Sequence, residues 1–392
     1  MTAARGTNWA DWADAEAAGI RAAGQWREPR PLDAAGPTGT LAGRGATPGS
    51  GAGAGAAADV AVVSFASNDY LGLTQHPAVV QAAHDAIDRW GTGAGSARLI
   101  VGSRPVHGEL ERALAAWKGT ESAVLFSTGF AANLGVLGTF AAADVLVCSD
   151  ELNHASLIDG RRLAGAPLEV YRHCDAAHVD ELLRAHPGGR AIVVSETVFS
   201  MDGDVAPVDK LAAVCAHHGA LLVLDEAHGV LAPDVVLGDV DVLRVGTLSK
   251  TLGALGGFVA GPARYTELLV NRARSYIFTT ASSPADAAAA LAALGVVRSP
   301  EGEQLRTRLR ANIDRLRPGH PSPILPYVCG TEARALDAAA ALLDEGLLVT
   351  AIRPPTVPVG TSRLRVAISA AHTPEQIDTL ARALDRLFPE PA

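Results

Sequence analysis

The chain has 392 residues, 48% of them apolar and 19% charged, which is enough apolar material for a core larger than one small domain needs. Its 33 basic against 42 acidic residues give a formal charge of −9, the wrong sign for a nucleic-acid surface. No run of eighteen uncharged apolar residues occurs, which argues against a membrane span, and the opening MTAARGTNWADWADAEAAG lacks the basic-then-apolar order of a signal peptide, so a cytoplasmic location is expected.

Residues 1–33 carry a helical pattern with Trp9, Trp12, Ile20 and Trp26 as apolar positions, an arm expected to pack on the main body. From Ala34 to Asp59 the chain is mostly Gly, Ala, Pro, Ser and Thr with little to bury, and reads as a mobile loop or linker. Short apolar runs then alternate with helical patterns: AVLFS at 123–127, VLVCS at 145–149, AIVVSE at 191–196, ALLVLDE at 220–226 and DVLRVG at 241–246. Continuous runs of this kind suit strands covered on both faces, and the spacing between them leaves room for helical crossovers. An α/β fold with a mostly parallel sheet follows. The last hundred residues change to helices at 284–298, 301–317 and near 333–345, the run PILPYVCG and the alternating SRLRVAIS, a smaller α+β domain. The expected division is 1–63 for arm and linker, 64–298 for the large domain and 299–392 for the small one.

Polar groups follow each of the five runs: Thr128-Gly129-Phe130, Asp150 with Asn153-His154, Glu196 with Ser200, Asp225 with His228, and Thr247-Leu248-Ser249-Lys250. In open α/β sheets ligands bind at that carboxyl edge, so a common active site is expected there. Asp225 in DEAHG can pair with a protonated pyridine nitrogen and His228 with a ring hydroxyl, the wiring of a pyridoxal phosphate (PLP) site. A helicase box has the same letters, but no G-x-x-x-x-G-K-[ST] loop accompanies it.

Only three lysines occur, Lys118, Lys210 and Lys250, against thirty Arg. Lys118 ends a surface-like helix and Lys210 begins one, so both read as solvated charges. Lys250, just after a strand and among small hydroxylated residues, is the candidate Schiff-base amine, with Thr247 and Ser249 beside it. The turn at Gly129 and Phe130 opens a helix whose free N–H groups suit a phosphate, with Ser200 and Thr280 as further hydroxyl contacts; His154 could stack on the ring. Cys148, Cys174, Cys215 and Cys329 show no C-x-x-C spacing and the histidines no H-E-x-x-H, so reduced thiols and no metal are expected.

The motifs SNDYLGL, GSARLIVGSRPVHGELE, FSTGFAANLGVL, NHASLIDG, ETVFSMDGDVAPV, LDEAHG, GTLSKTLGALGG and AIRPPTVPVGTSRLRVAIS occur in that order between Ser64 and His372. Together they resemble the α-oxoamine synthases, PLP enzymes of the aspartate-aminotransferase fold type. The resemblance implies a seven-stranded large domain and a homodimer with the site at its interface. It implies catalytic roles for Lys250, His154, Asp225 and His228, cofactor contacts from Gly129, Phe130, Ser200, Thr247 and Thr280, the last serving the neighbouring subunit, and substrate contacts from Arg365, Asn68, Arg353 and Thr356. Within the group, Ile352-Arg353-Pro354-Pro355 points to the member that joins L-alanine to a pimeloyl thioester of coenzyme A or acyl carrier protein in biotin biosynthesis. A glycine C-acetyltransferase is the alternative, and a non-catalytic partner subunit the alternative of another class. The chain departs from the family in a shorter, less Gly-rich loop after His228 and a longer 34–59 segment.

Overall fold

The computed structural model describes residues 8–43, 58–231 and 237–389. Contacts gather them into two units, a larger one of residues 67–325 and 367–377 and a smaller one drawn from residues 1–66, 326–366 and 378–392.

The larger unit is built on seven strands: β1 (Ser122–Phe126), β2 (Val145–Asp150), β3 (Leu168–Tyr171), β4 (Arg190–Glu196), β5 (Leu221–Asp225), β6 (Val242–Thr247) and β7 (Gly257–Gly261). They lie in the order β1-β7-β6-β5-β4-β2-β3, parallel from β6 through to β3, with β7 antiparallel to both of its neighbours. The five strands expected from the sequence are present. β3 and β7 were not expected, for different reasons: LEVY is a short, half-exposed edge strand, whereas GFVAG begins and ends in glycine. Gly257 is required where it stands, because a Cβ there would lie 2.4 Å from the Thr128 carbonyl oxygen and 2.5 Å from the Gly129 nitrogen.

Both faces of this sheet are covered, which is why its strands read as unbroken apolar runs. Side chains alternate between the faces. Val145, Val147, Ile192, Val194, Val223, Leu243 and Val245 enter one core, with Ala132, Val136 and Leu157 from the helices α1 (Gly129–Phe140) and α2 (Ala155–Ala164). Leu146, Cys148, Ala191, Val193, Leu222 and Leu224 enter the other, with Leu211 and Cys215. The alternation carries on to the strand ends, so Glu196, Asp225 and Thr247 emerge on the α1 side and Asp150 and Glu226 on the far side.

The boundary expected at residue 298 falls inside the larger unit. The helix Pro300–Leu316 belongs to it, burying Leu309 and Ile313, and its Asn312 amide donates to the Ser369 and His372 carbonyls at 3.0 Å each. In the smaller unit, Leu32–Ala34, Thr38–Leu41, Val60–Ser64 and Leu347–Leu348 form one sheet. Part of the Gly/Ala-rich segment is therefore strand, because Thr38–Leu41 finds ladder partners on both sides, whatever its side chains lack. Residues 44–57 of that segment lie outside the described residues. The arm forms the helix Trp9–Ala22, but it buries none of its residues: Trp9 is 81% and Trp12 49% exposed.

Lys118 is not a solvated charge. Its Nζ lies 2.6 Å from Glu226, which also accepts from Arg244 at 2.5 Å, and all three side chains are largely buried. Burial works to raise the Glu226 pKa, and the two cations overcome it and hold the carboxyl below its ordinary value. Glu226→Ala would leave Lys118 and Arg244 facing each other without an anion, and a loss of about 3 kcal/mol in denaturant unfolding is expected.

Candidate active site

Four strand ends and the starts of two helices meet at the carboxyl edge of the sheet. Lys250 follows β6, and its Nζ lies 2.9 Å from Nε2 of His228, which follows β5. The other ring nitrogen of His228 is 2.6 Å from the buried Tyr70 hydroxyl, which donates to Asn68 Oδ1 at 3.1 Å. Asp225 ends β5 with 7% exposure; its Oδ2 accepts from the Asn133 amide at 2.7 Å and its Oδ1 from the Ala227 N–H at 3.0 Å.

Asn133 lies one turn into α1 and links Asp225 to His154. Its Nδ2 also donates to Ser156 Oγ at 2.9 Å, and Ser156 Oγ lies 2.7 Å from His154 Nδ1. His154 Nδ1 caps α2 by accepting the Ser156 N–H at 3.2 Å. A nitrogen that accepts carries no proton, so the neutral ring is protonated at Nε2. The His154 side chain is open to solvent, yet the surrounding protein wall lowers its pKa by desolvation, against the pull of Asp225, and Lys250 adds to the lowering.

The start of α1 supplies an anion cradle. Thr128 caps it by accepting the Ala131 N–H at 3.0 Å, and the N–H groups of Gly129 and Phe130 sit ahead of the first intrahelical bond. A Cβ at Gly129 would lie 3.3 Å from Thr247 Cβ, so glycine leaves the space between this helix start and the Thr247 hydroxyl open. Thr247 Oγ1 and Ser249 Oγ both donate to the Gly256 carbonyl, at 3.0 and 3.3 Å, which fixes the turn carrying Lys250. Ser200 is buried, and its N–H donates to Glu196 Oε2 at 3.1 Å.

Thr280 is exposed and lines a small separate depression with Arg98, Phe126 and Ser282. Arg365, Arg353 and Thr356 belong to the smaller unit. Arg365 is buried in the strand Ser362–Ala367, Arg353 donates to the Gly24 carbonyl, and Thr356 is exposed. Arg27, in the arm, donates to the Pro354 carbonyl at 3.4 Å. Of the shortened loop after His228, residues 232–236 lie outside the described residues.

Tyr70, Asn133 and Ser156 were not singled out from the sequence as site residues. Tyr70 and Ser156 stand inside motifs already noted, but only folding shows whom they touch. On the far side of the sheet, Asp150, His173 and Cys174 converge closely enough to hold an ion, although no metal was expected. Both His173 nitrogens already meet carboxylates, Asp150 at 2.9 Å and Asp204 at 2.6 Å, and these bonds push its pKa up to about 12.

A family model described as aminotransferase class I and II matches residues 60–384. An 8-amino-7-oxononanoate synthase of Anaeromyxobacter dehalogenans (strain 2CP-1) is 48% identical over 400 residues, covering 97% of this chain and 96% of its own. The chain belongs to the class I and II aminotransferase family, in its 8-amino-7-oxononanoate synthase branch. A second branch member, from Methylococcus capsulatus, is 45% identical, with 84% of this chain and 90% of that one covered. Among solved structures, a serine palmitoyltransferase from S. paucimobilis with a bound PLP–myriocin aldimine superposes with a TM-score of 0.85 at 30% identity, covering 96% of each chain. The 8-amino-7-oxononanoate synthase of Francisella tularensis superposes at 0.69 with 26% identity, covering 83% of this chain and 96% of that one.

PLP is the family's cofactor, and the donor set on the α1 side fits it: a carboxylate held by two donors, an amine beside an imidazole, and helix N–H groups facing a hydroxyl across a missing Cβ. Asn133→Leu would strip Asp225 of one buried donor, and an increase of about tenfold in the PLP dissociation constant is expected by fluorescence titration of the cofactor-free protein. His173, whose folded pKa is raised, stabilises the fold fully below its ordinary value of 6.5, and that contribution fades as pH climbs towards about 12. The difference in melting temperature between wild type and His173→Gln should therefore be larger at pH 6 than at pH 10.

Proposed function

We propose that this chain condenses L-alanine with a pimeloyl thioester, carried by coenzyme A or acyl carrier protein, to give 8-amino-7-oxononanoate, carbon dioxide and the free thiol carrier, a step of biotin biosynthesis. The observation that carries the reading is the Lys250–His228 contact on the same sheet edge as a buried, doubly held Asp225, in a chain 48% identical to a named 8-amino-7-oxononanoate synthase.

PLP, when bound, supplies an electron-withdrawing ring that acidifies the α-hydrogen of the amino acid. The chain's own groups do the rest. Asp225 is the anion for the ring nitrogen's proton, and Asn133 and the Ala227 N–H keep it aimed. Gly129, Phe130, Thr247 and Ser200 serve the phosphate end, and His228 the ring hydroxyl. Lys250 tethers the cofactor and, once released as an amine, takes the α-proton on Nζ and later returns one. His154 packs on the ring; its Nε2–H is the donor available to the thioester oxygen, because Ser156 occupies Nδ1.

In this reading Arg365 takes the alanine carboxylate, for which a planar guanidinium fork is suited, and Asn68, Arg353 and Thr356 belong to the substrate side. Two copies pair. Supporting this, Leu99, Ile100 and Val101 stand together at 50%, 74% and 70% exposure in the short segment Arg98–Gly102, an apolar patch of the kind a second copy covers. Thr280, exposed, would then reach the partner's phosphate.

Purified protein is expected to turn over L-alanine with pimeloyl-CoA or its carrier-protein ester in preference to glycine with acetyl-CoA, measured by thiol release. Turnover confined to the second pair would replace this substrate assignment. Lys250→Ala is expected to lose about 1,000-fold in turnover and the yellow absorbance of the loaded protein.

A further inference from the structure

Glu196 is 2% exposed, ends β4, and is the Cα partner of Asp225 in the parallel ladder, so two carboxyl groups leave neighbouring strands, about 4.8 Å apart, on the same face. Side-by-side carboxyls in a buried site do not both ionise readily. The hydrogen bonds are shared unequally between them. Asp225 accepts on both of its oxygens, from the Asn133 amide and the Ala227 N–H, whereas Glu196 accepts the Ser200 N–H on Oε2 and, among the described residues, no hydrogen bond reaches its Oε1. We propose that Glu196 is a positioning residue for the cofactor, placed beside Asp225 as an uncharged carboxylic acid so that the negative charge under the ring nitrogen belongs to Asp225.

The remaining groups around Glu196 do not reverse that division. Lys250, beyond β6, and the backbone N–H groups of Ser200 and His154 favour its ionised form, while burial and the charge of Asp225 oppose it and prevail, raising its pKa to about 8. Asn153, on the β2 side, uses its Oδ1 to accept the Glu196 backbone N–H at 3.1 Å and so holds the main chain, not the carboxyl. Glu196 therefore acts through Asp225. Below about pH 8 one anion faces the cofactor; above it a second appears alongside, and the grip on the ring nitrogen's proton changes.

The inference rests on Asp225 serving the ring nitrogen, and its test does not depend on which thioester is used. In the PLP-loaded full-length protein labelled with ¹³Cδ-glutamate, one glutamate carboxyl carbon is expected to titrate near pH 8, far from the ordinary value of 4.5. Assignment comes from its disappearance in Glu196→Gln, a variant that keeps an uncharged, hydrogen-bonding side chain. That variant is expected to lack any alkaline change in cofactor absorbance centred near pH 8. Sign and window follow from linkage. A carboxyl whose folded pKa is raised binds more protons folded than unfolded between about pH 4.5 and 8, so wild-type stability falls across that interval relative to Glu196→Gln and the gap is constant above it. All glutamate carbons titrating in the ordinary range would overturn the proposal, and so would a Glu196→Gln protein with the wild-type absorbance titration. Failure to make product from pimeloyl thioesters would instead count against the substrate reading, leaving the glutamate titration to be read on its own.

Discussion

Side-chain alternation along strands buried on both faces is the constraint on which the site depends. A strand with period two sends Val223 and Asp225 to one face and Leu224 and Glu226 to the other, and helices cover both. The same parity places Glu196 and Thr247 with Asp225, beside α1 and α2. A one-residue slip of β5 would exchange the faces of Asp225 and Glu226, so core packing fixes which acid stands with Glu196 and Thr247 on the α1 side.

The two acids of the DEAH stretch illustrate what this separation does. Glu226 is neutralised by Lys118 and Arg244 and becomes part of the fold's far side. Asp225 is held by the uncharged Asn133 amide and Ala227 N–H, which suits it to meet a cofactor's positive charge. Asp150 behaves like Glu226: it leaves β2 on the far side and is bound to His173, which also joins Asp204. Far-side charges tie loops together, and near-side polar groups gather around Lys250.

Around Lys250 the hydrogen bonds form two short chains. One runs from Asn68 through Tyr70 and His228 to the amine; the other runs from Asp225 through Asn133 and Ser156 to His154. Each chain ties polar side chains of the sheet edge to one another and so holds them in a single orientation. Rigidity of this kind is supplied by the sheet edge and helix starts, elements whose backbone is already fixed by the core.

Much of this was legible in the sequence. Uninterrupted apolar runs declared two-sided burial, the polar residues ending five of them located the site, and the chemistry of an imine singled out Lys250 from three lysines. Eight ordered motifs implied the fold type and cofactor. Local pattern could not decide where long-range partners lie: that Lys118 reaches Glu226 across more than a hundred residues, that Thr38–Leu41 completes a ladder despite its thin side chains, or that the helix Pro300–Leu316 joins the larger unit through Asn312. Nor could it distribute charge between Glu196 and Asp225, since both end apolar strands. The Asn133 amide, which reaches Asp225 from 92 residues earlier in the chain, helps to separate them, and it is in place only once the chain has folded.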